Sequence, residues 1–310
     1  MNDLKNKKVL ITGGLGFIGK SFTNNLLKNN VDIIIMDNFV LGKKDFYTKN
    51  ATIIEGDVRN YKDWKKLPKC DYVFHLGAPS SIVLFNKNLS ECVGITLQGL
   101  QNCFKWAIEN NCEKVIYPSS GSIFGTTQGA CSETTFPSPQ NSYGKTKLAC
   151  EYIAKIYEDY IPSLGLRIFA GYGPQEDHKG EIASVVTLFL NDILQNKRPV
   201  IFGNGKQTRD FVYIDDILNV LYVSISKDLV GVLNVGSGEA ISFNNIILEI
   251  NRLLGKNIKP RYIKTPKNYL ENTLCNTDLL VKVMRRNPFS FSLGIKKYLE
   301  KFSPTKIKTS

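Results

Sequence analysis

Histidine is scarce in this chain, with two in 310 residues, His75 and His178. Neither sits in a ligand-like spacing, so no metal site is expected. Cysteine is limited to seven positions scattered from Cys70 to Cys275, an odd number with no C-x-x-C pair. That excludes a disulfide framework and fits unpaired thiols in a reducing compartment. Long apolar runs are missing as well. Stretches such as Val31 to Met36 fall well short of the roughly 20 residues a spanning helix needs. Residues 1–15 hold no apolar core of signal-peptide length. The expectation is a cytoplasmic chain with no membrane span.

Arginine is also in short supply: 8 of the 40 basic residues, against 32 lysines, with 28 asparagines and a net charge of +12. Lysine and asparagine spread over the whole chain make a compositional bias rather than a patch. A nucleic-acid reader clusters arginine with aromatics along one face, so nucleic acid is not an expected partner. The densest basic stretch, Lys296, Lys297, Lys301, Lys306 and Lys308, reads as a solvated helix end. A basic surface would still draw in an anionic small molecule.

What is present is ordinary for a globular chain: 43% apolar and 22% charged residues. The length predicts two domains, or one large domain with an appendage. Short β-rich runs alternate with longer helical patterns through the first half, which predicts parallel βαβ units. The runs are Lys8 to Thr12, Val31 to Met36, Thr52 to Glu55, Tyr72 to Leu76, Lys114 to Pro118 and Leu164 to Ala170. Helical patterns such as Ile18 to Lys28 and Leu89 to Asn110 lie between them. From Gly173 the rhythm shortens, with turn signals at Gly203-Asn204-Gly205 and Lys259-Pro260. The fold class expected is therefore α/β: a doubly wound, Rossmann-type parallel sheet over residues 1–172 and a smaller mixed domain over 173–310. Residues 231–237 are a candidate to return to the main sheet.

The strongest local motif is Thr12-Gly13-Gly14-Leu15-Gly16-Phe17-Ile18-Gly19, which follows a strand and opens a helix. Gly13 permits a tight turn, Gly16 lets backbone N–H groups approach a pyrophosphate, and Gly19 lets helix and strand pack. The helix N-terminus adds partial positive charge. The next strand ends in Asp37, 18 residues after Gly19, close to the ~20-residue spacing of a carboxylate that holds ribose hydroxyls. Asp37 would repel a 2′-phosphate, so the expected cofactor is NAD. Asp57, in Gly56-Asp57-Val58, is a candidate to reach the adenine or else a simple loop aspartate.

Downstream, Tyr143 and Lys147 stand four residues apart and share a helical face. A phenol titrates near 10 and is a poor base at neutral pH. A neighbouring ammonium is expected to lower that value, letting Tyr143 take a proton from a hydroxyl while hydride leaves the same carbon. Ser120, in Pro118-Ser119-Ser120-Gly121-Ser122, directly follows the fifth run. It lies where ligands gather outside the carboxyl ends of a doubly wound sheet.

Taken jointly, these motifs resemble the extended short-chain dehydrogenase/reductases, the NAD-dependent epimerase/dehydratase family acting on nucleotide sugars. The resemblance continues through His75 to Ala78, Tyr172-Gly173-Pro174, Arg198 to Gly205 and Gln207-Thr208-Arg209-Asp210-Phe211. It implies a coenzyme site from Gly13, Gly16, Phe17, Ile18, Gly19, Asp37, Asn38, Asp57, Val58, Leu76, Gly77, Ala78, Tyr143 and Lys147. It implies a substrate site from Ser120, Ser122, Tyr143 and Arg209, the last gripping the substrate diphosphate. The alternative for Arg209 is a surface pair with Asp210 or Asp215. Members that eliminate water resemble one another in an Asp-Glu after the hydroxyl-binding residue, where this chain has Gly121 and Ser122. Decarboxylating members carry glutamate where Ser122 stands. What remains is oxidation at one carbon with return of hydride, an epimerisation, or else net oxidation or reduction. The Ser-Ser-Gly-Ser pattern most resembles the hexose 4-epimerases, which implies a nucleotide-sugar 4-epimerase, with a nucleotide-sugar 4-dehydrogenase or ketosugar reductase as the alternative. A non-catalytic NAD-binding protein is disfavoured by the joint presence of Ser120, Tyr143 and Lys147.

The chain departs from the family at Ala170 and Thr96, where asparagine is usual, and at Thr265-Pro266-Lys267-Asn268, where an Arg-Pro-Gly-Asp is usual. Lys264 or Lys267 would be the substitute cations. His75 is expected to pack, and His178 is a candidate second acid. The helix from Gly144 to Tyr160 shows a narrow polar stripe, Glu151, Lys155 and Asp159, with apolar residues around much of the rest. Family members pair through this helix and the one before it, so the resemblance implies a homodimer.

Overall fold

The computed structural model describes residues 4, 6–29, 31–40, 51–265 and 269–301. In chain order it contains β1 (Lys8–Thr12), α1 (Phe17–Leu27), β2 (Asp32–Asp37), β3 (Ala51–Glu55), α2 (Tyr61–Trp64) and β4 (Tyr72–His75). There follow α3 (Ile82–Lys87), α4 (Leu89–Glu109), β5 (Lys114–Ser120), a 3-10 turn at Gly121–Phe124, α5 (Ser142–Ile156) and β6 (Ser163–Ile168). Beyond these come β7 (Ala170–Tyr172), a 3-10 segment at Asp177–Ile182, α6 (Val185–Leu194), β8 (Val200–Phe202), β9 (Thr208–Tyr213) and α7 (Ile214–Val223). The remainder is β10 (Gly231–Val235), β11 (Ala240–Ser242), α8 (Phe243–Leu254), β12 (Arg261–Ile263), α9 (Asp278–Met284) and α10 (Phe291–Lys301).

The large sheet has the order β3-β2-β1-β4-β5-β6-β10, parallel throughout. Its central strands are unbroken apolar runs because both faces are covered by helices. Alternate residues feed separate cores. Val9, Ile11, Ile33 and Ile35 pack on the face that carries α1, whereas Leu10, Ile34 and Met36 pack with Trp106 of α4 and Cys150 of α5. The order reverses between β1 and β4, opening the crevice at their carboxyl ends where ligands bind in such sheets. β10, late in the sequence, closes the large sheet by pairing Gly231–Val235 with 164–168.

The run read as continuous from Leu164 to Ala170 is broken at Phe169. Its amide donates to Val235 O at 3.0 Å, and residues 170–172 then leave the large sheet to pair with Phe211–Tyr213. They begin the mixed sheet β11-β9-β7 of a smaller C-terminal domain, which also holds the pair β12-β8. Among the described residues no helix is long and apolar enough to cross a membrane.

Candidate active site

The glycine turn joins β1 to α1 through backbone alone. Gly13 has φ +64°, a left-handed conformation that favours glycine, and a Cβ there would stand 2.6 Å from Gly77 Cα. At Gly19 a Cβ would come within 2.2 Å of Gly13 O, so α1 can lie this close to the turn only without a side chain. Gly16, by contrast, faces open space: its Cβ would meet only Gly13 O, at 3.4 Å. Gly16 caps α1 with no side-chain partner, and the first turn carries no acidic residue. A helix end of this kind leaves N–H donors and partial positive charge for an anion.

Asp37 ends β2 beside this turn. Its carboxylate is 8% exposed and accepts from Leu15 N at 3.0 Å and Phe39 N at 2.9 Å. Two backbone donors thus fix its orientation beside the turn. Asn38 is exposed and accepts from Val40 N. Val58 is buried against the space left by Gly77 and Gly99. Asp57 is engaged elsewhere: Arg59 Nε donates to Oδ1 and Nη2 to Oδ2, and this holds the carboxyl below its usual range. Leu76, Gly77 and Ala78 are half-buried on the loop after β4, where Gly77 N donates to Thr12 Oγ1 at 3.1 Å. That contact leaves the Thr12 hydroxyl free to donate to His75 Nδ1, 2.9 Å away. Burial, with Lys147 nearby, pushes His75 down to about 3. It is a neutral packing residue, as its strand-end position implied.

The second wall is built where β5 meets α5. Ser120 is buried at the end of β5, and its Oγ caps the 3-10 turn by accepting from Ser122 N at 3.1 Å. Asn141 caps α5 by accepting from Gly144 N at 2.8 Å, which starts the helix one residue before Tyr143. Gly144 is packed so tightly on the turn that a Cβ would stand 2.5 Å from Ser122 O. Tyr143 is half-buried and edge-on to Phe85 of α3, and Ser120 is the polar side chain that acts on its phenol. Lys147 is 2% exposed, with its Nζ 5.8 Å from the Tyr143 ring centre and donating to Pro118 O at 3.0 Å.

Two readings are corrected here. The phenol of Tyr143 is not lowered in the free protein. Burial raises it, and the opposing influence is the Ser120 hydrogen bond rather than Lys147. Lys147 is itself lowered by burial. Removing both groups from water disfavours both charged forms more than their separation lets attraction recover. Glu151, read as part of a polar stripe with Lys155 and Asp159, instead has its side chain only 10% exposed and paired with Arg167. Its spacing of four from Lys147 was the signal that it shares the inward face.

Arg209, on β9, pairs with neither Asp210 nor Asp215. Asp210 is taken by Ser237, Gly238 and Cys275, and Asp215 by Lys301. The guanidinium lies between Phe243 and Tyr269 and donates to the carbonyls of Thr208, Leu270 and Glu271. Ser122 is half-buried at the turn, Ala170 opens β7, and Thr96 Oγ1 donates to Cys92 O within α4. His178 is half-buried in the 3-10 segment, and burial with Lys179 lowers it, away from an acid's role. Lys264 is exposed, and Lys267 lies outside the described residues.

The open helix end, the oriented carboxylate and the glycine contacts fit a dinucleotide. The hydroxyl, phenol and ammonium beside them fit proton transfer to and from an alcohol. Comparison with known proteins agrees. The model of the NAD dependent epimerase/dehydratase family matches residues 9–236. A putative UDP-glucose 4-epimerase of Methanocaldococcus jannaschii is 31% identical over 264 residues, 80% of this chain and 82% of the relative. The crystal structure of the Thermotoga maritima UDP-glucose 4-epimerase with UDP-glucose matches with a TM-score of 0.90 at 26% identity, covering 96% of this chain and 99% of that one. A UDP-N-acetylglucosamine 4-epimerase from Methanobrevibacter ruminantium, in complex with UDP-N-acetylmuramic acid, matches at 0.88 and 29% identity, covering 96% and 98%.

Proposed function

The chain belongs to the NAD dependent epimerase/dehydratase family, and within it we propose that it is a nucleotide-sugar 4-epimerase. The observation that carries this reading is the turn after β5. The acid pair of eliminating family members would fall at positions 121 and 122, and at 121 a Cβ would lie 2.8 Å from the Phe169 ring. Gly121 and Ser122 offer no carboxyl group beside Ser120, Tyr143 and Lys147. Proton exchange with an alcohol is the chemistry left to these side chains.

Gly13, Gly16, Gly19 and Asp37 would hold the coenzyme, with Leu76, Gly77 and Ala78 along its other side. When bound, NAD would supply the hydride acceptor and donor. Ser120 orients the sugar hydroxyl, and Tyr143 takes its proton and later returns it. Lys147 stays charged beside the phenol and favours its anion. Arg209 holds the substrate diphosphate, which requires it to exchange some of its three carbonyl partners. The coenzyme half is proposed to comprise residues 1–169 with 231–235, since 170–172 already pair with β9 in the smaller sheet, and the substrate half the rest of 170–310.

The test is incubation with a panel of nucleotide sugars while stereochemistry at C4 is followed by NMR. Interconversion with no net change in coenzyme redox state is expected. Stoichiometric consumption of added NAD or NADH would instead identify a net dehydrogenase or reductase. The protein is further proposed to form a two-fold dimer, since α5 and the residue stretch after it leave Tyr152, Ile156 and Tyr160 64%, 71% and 72% exposed along one face. Light scattering at the monomer mass would reject that assembly.

A further inference from the structure

One face of α5 runs along three successive residues at the end of β5. Lys147 Nζ donates to Pro118 O at 3.0 Å, Glu151 Oε1 accepts from Ser119 Oγ at 2.5 Å, and Ser120 is the polar side chain that acts on the Tyr143 phenol. The spacing of four puts all three helix residues on the same side. Glu151 lies two turns, about 12 Å, along the helix from Tyr143, so it takes no part in proton transfer to the sugar. Its partner is fixed by the sheet. Arg167 on β6 is the residue directly across the ladder from Ser119. Arg167 Nε donates to Glu151 Oε1 at 2.9 Å, Nη2 to Oε2 at 2.8 Å, and Nη1 to Glu133 O at 2.9 Å. The two side chains are only 6% and 10% exposed, and the guanidinium lies 5.3 Å from the Phe124 ring centre.

A buried ion pair is a weak source of stability, because desolvation offsets much of the attraction. What a guanidinium forked onto a carboxylate supplies is direction. We propose that Glu151, held by Arg167 and bonded to Ser119, is a positioning residue that sets the register of α5 on β5 and thereby keeps Tyr143 opposite Ser120. Strand side chains alternate in direction, so locking Ser119 onto Glu151 also fixes how Ser120 is presented. The inference rests on the roles given above to Tyr143 and Ser120.

Three variants of the full chain test it: Glu151→Gln, Ser119→Ala and Arg167→Lys. Each is also made with Tyr143→Phe, so that the tyrosinate absorbance of Tyr143 is isolated by difference. The expected result for Glu151→Gln is a kcat roughly tenfold to a hundredfold lower, the scale of a small misplacement at a reacting centre. KM for the nucleotide sugar and NAD occupancy stay unchanged. Ser119→Ala should lose less, and Arg167→Lys, which keeps the charge without the fork, should fall between. In each, the Tyr143 titration should move to higher pH as the Ser120 bond that opposes burial weakens. Variants with wild-type kcat per folded molecule and an unmoved Tyr143 titration, even with a lower melting point, overturn the proposal. If Glu151→Gln does not fold, Ser119→Ala decides, because it removes the strand hydroxyl and leaves the ion pair intact. A wild-type chain that converts no nucleotide sugar overturns the functional reading, and the tyrosinate titration then judges the positioning by itself.

Discussion

The two walls of the crevice are built by different means. At the β1–α1 turn the chain works by omission: three glycines remove side chains, and the groups left to meet a ligand are backbone amides. The turn needs few partners, because its contacts lie within a short stretch closed by Gly77 and Asp37. At the β5–α5 wall the chain works by addition. Ser120, Tyr143 and Lys147 are set by contacts from β6, α3 and the 3-10 turn. A backbone-built site tolerates variation in its neighbours, whereas a side-chain-built site inherits every displacement of the elements that carry it.

The contrast can be broken most forcefully at Tyr143. Tyr143→Phe should lower turnover by at least about a hundredfold, the usual cost of losing a general base, while NAD still binds the opposite wall. Near-normal turnover in that variant would mean that another group moves the proton. A second probe lies at the joint between the walls, where Thr12 meets His75. The folded protein holds His75 at about 3, below the ordinary 6.5. The unfolded chain therefore takes up a proton first as pH falls. The stabilising contribution is complete above about pH 6.5 and is lost towards 3, at up to about 1.4 kcal/mol per pH unit. Urea midpoints at about pH 7 and pH 5 should differ by the equivalent of about 2 kcal/mol more in the wild type than in His75→Gln. Equal slopes would remove His75 from the account of acid sensitivity. The smallest effect is expected at Asp37. Asp37→Ala should weaken NAD by about tenfold, as loss of a charged hydrogen-bond partner does, and narrow the preference over NADP. Turnover at saturating NAD should stay close to wild type. An unchanged coenzyme preference would show that the carboxylate serves the turn and not the ribose.

Much of the fold was legible because its signals are local. The apolar runs of β1 and β2 and the glycine spacing lie within the first 37 residues, and the structure puts strands, turn and helix there. The break at Phe169 was not legible, since Leu164 to Ala170 reads as one apolar run. What ends it is the competing pull of β9, some 40 residues later. Glu151 was misread for a similar reason. On a helix viewed alone it lines up with Lys155 and Asp159, and nothing nearby in the sequence announces Arg167.

Sequence by itself determined the parallel sheet, the glycine turn that opens α1 and the choice of residues proposed to transfer the proton. Each depends on side-chain type and on spacings of a few residues, which the chain carries wherever it goes. Tertiary structure alone decided that Arg209 turns to three carbonyls, that the Phe169 ring crowds position 121, and that burial outweighs Lys147 at the phenol. Those outcomes depend on distance and on water excluded by elements far apart in the chain, and neither quantity exists until the fold has formed.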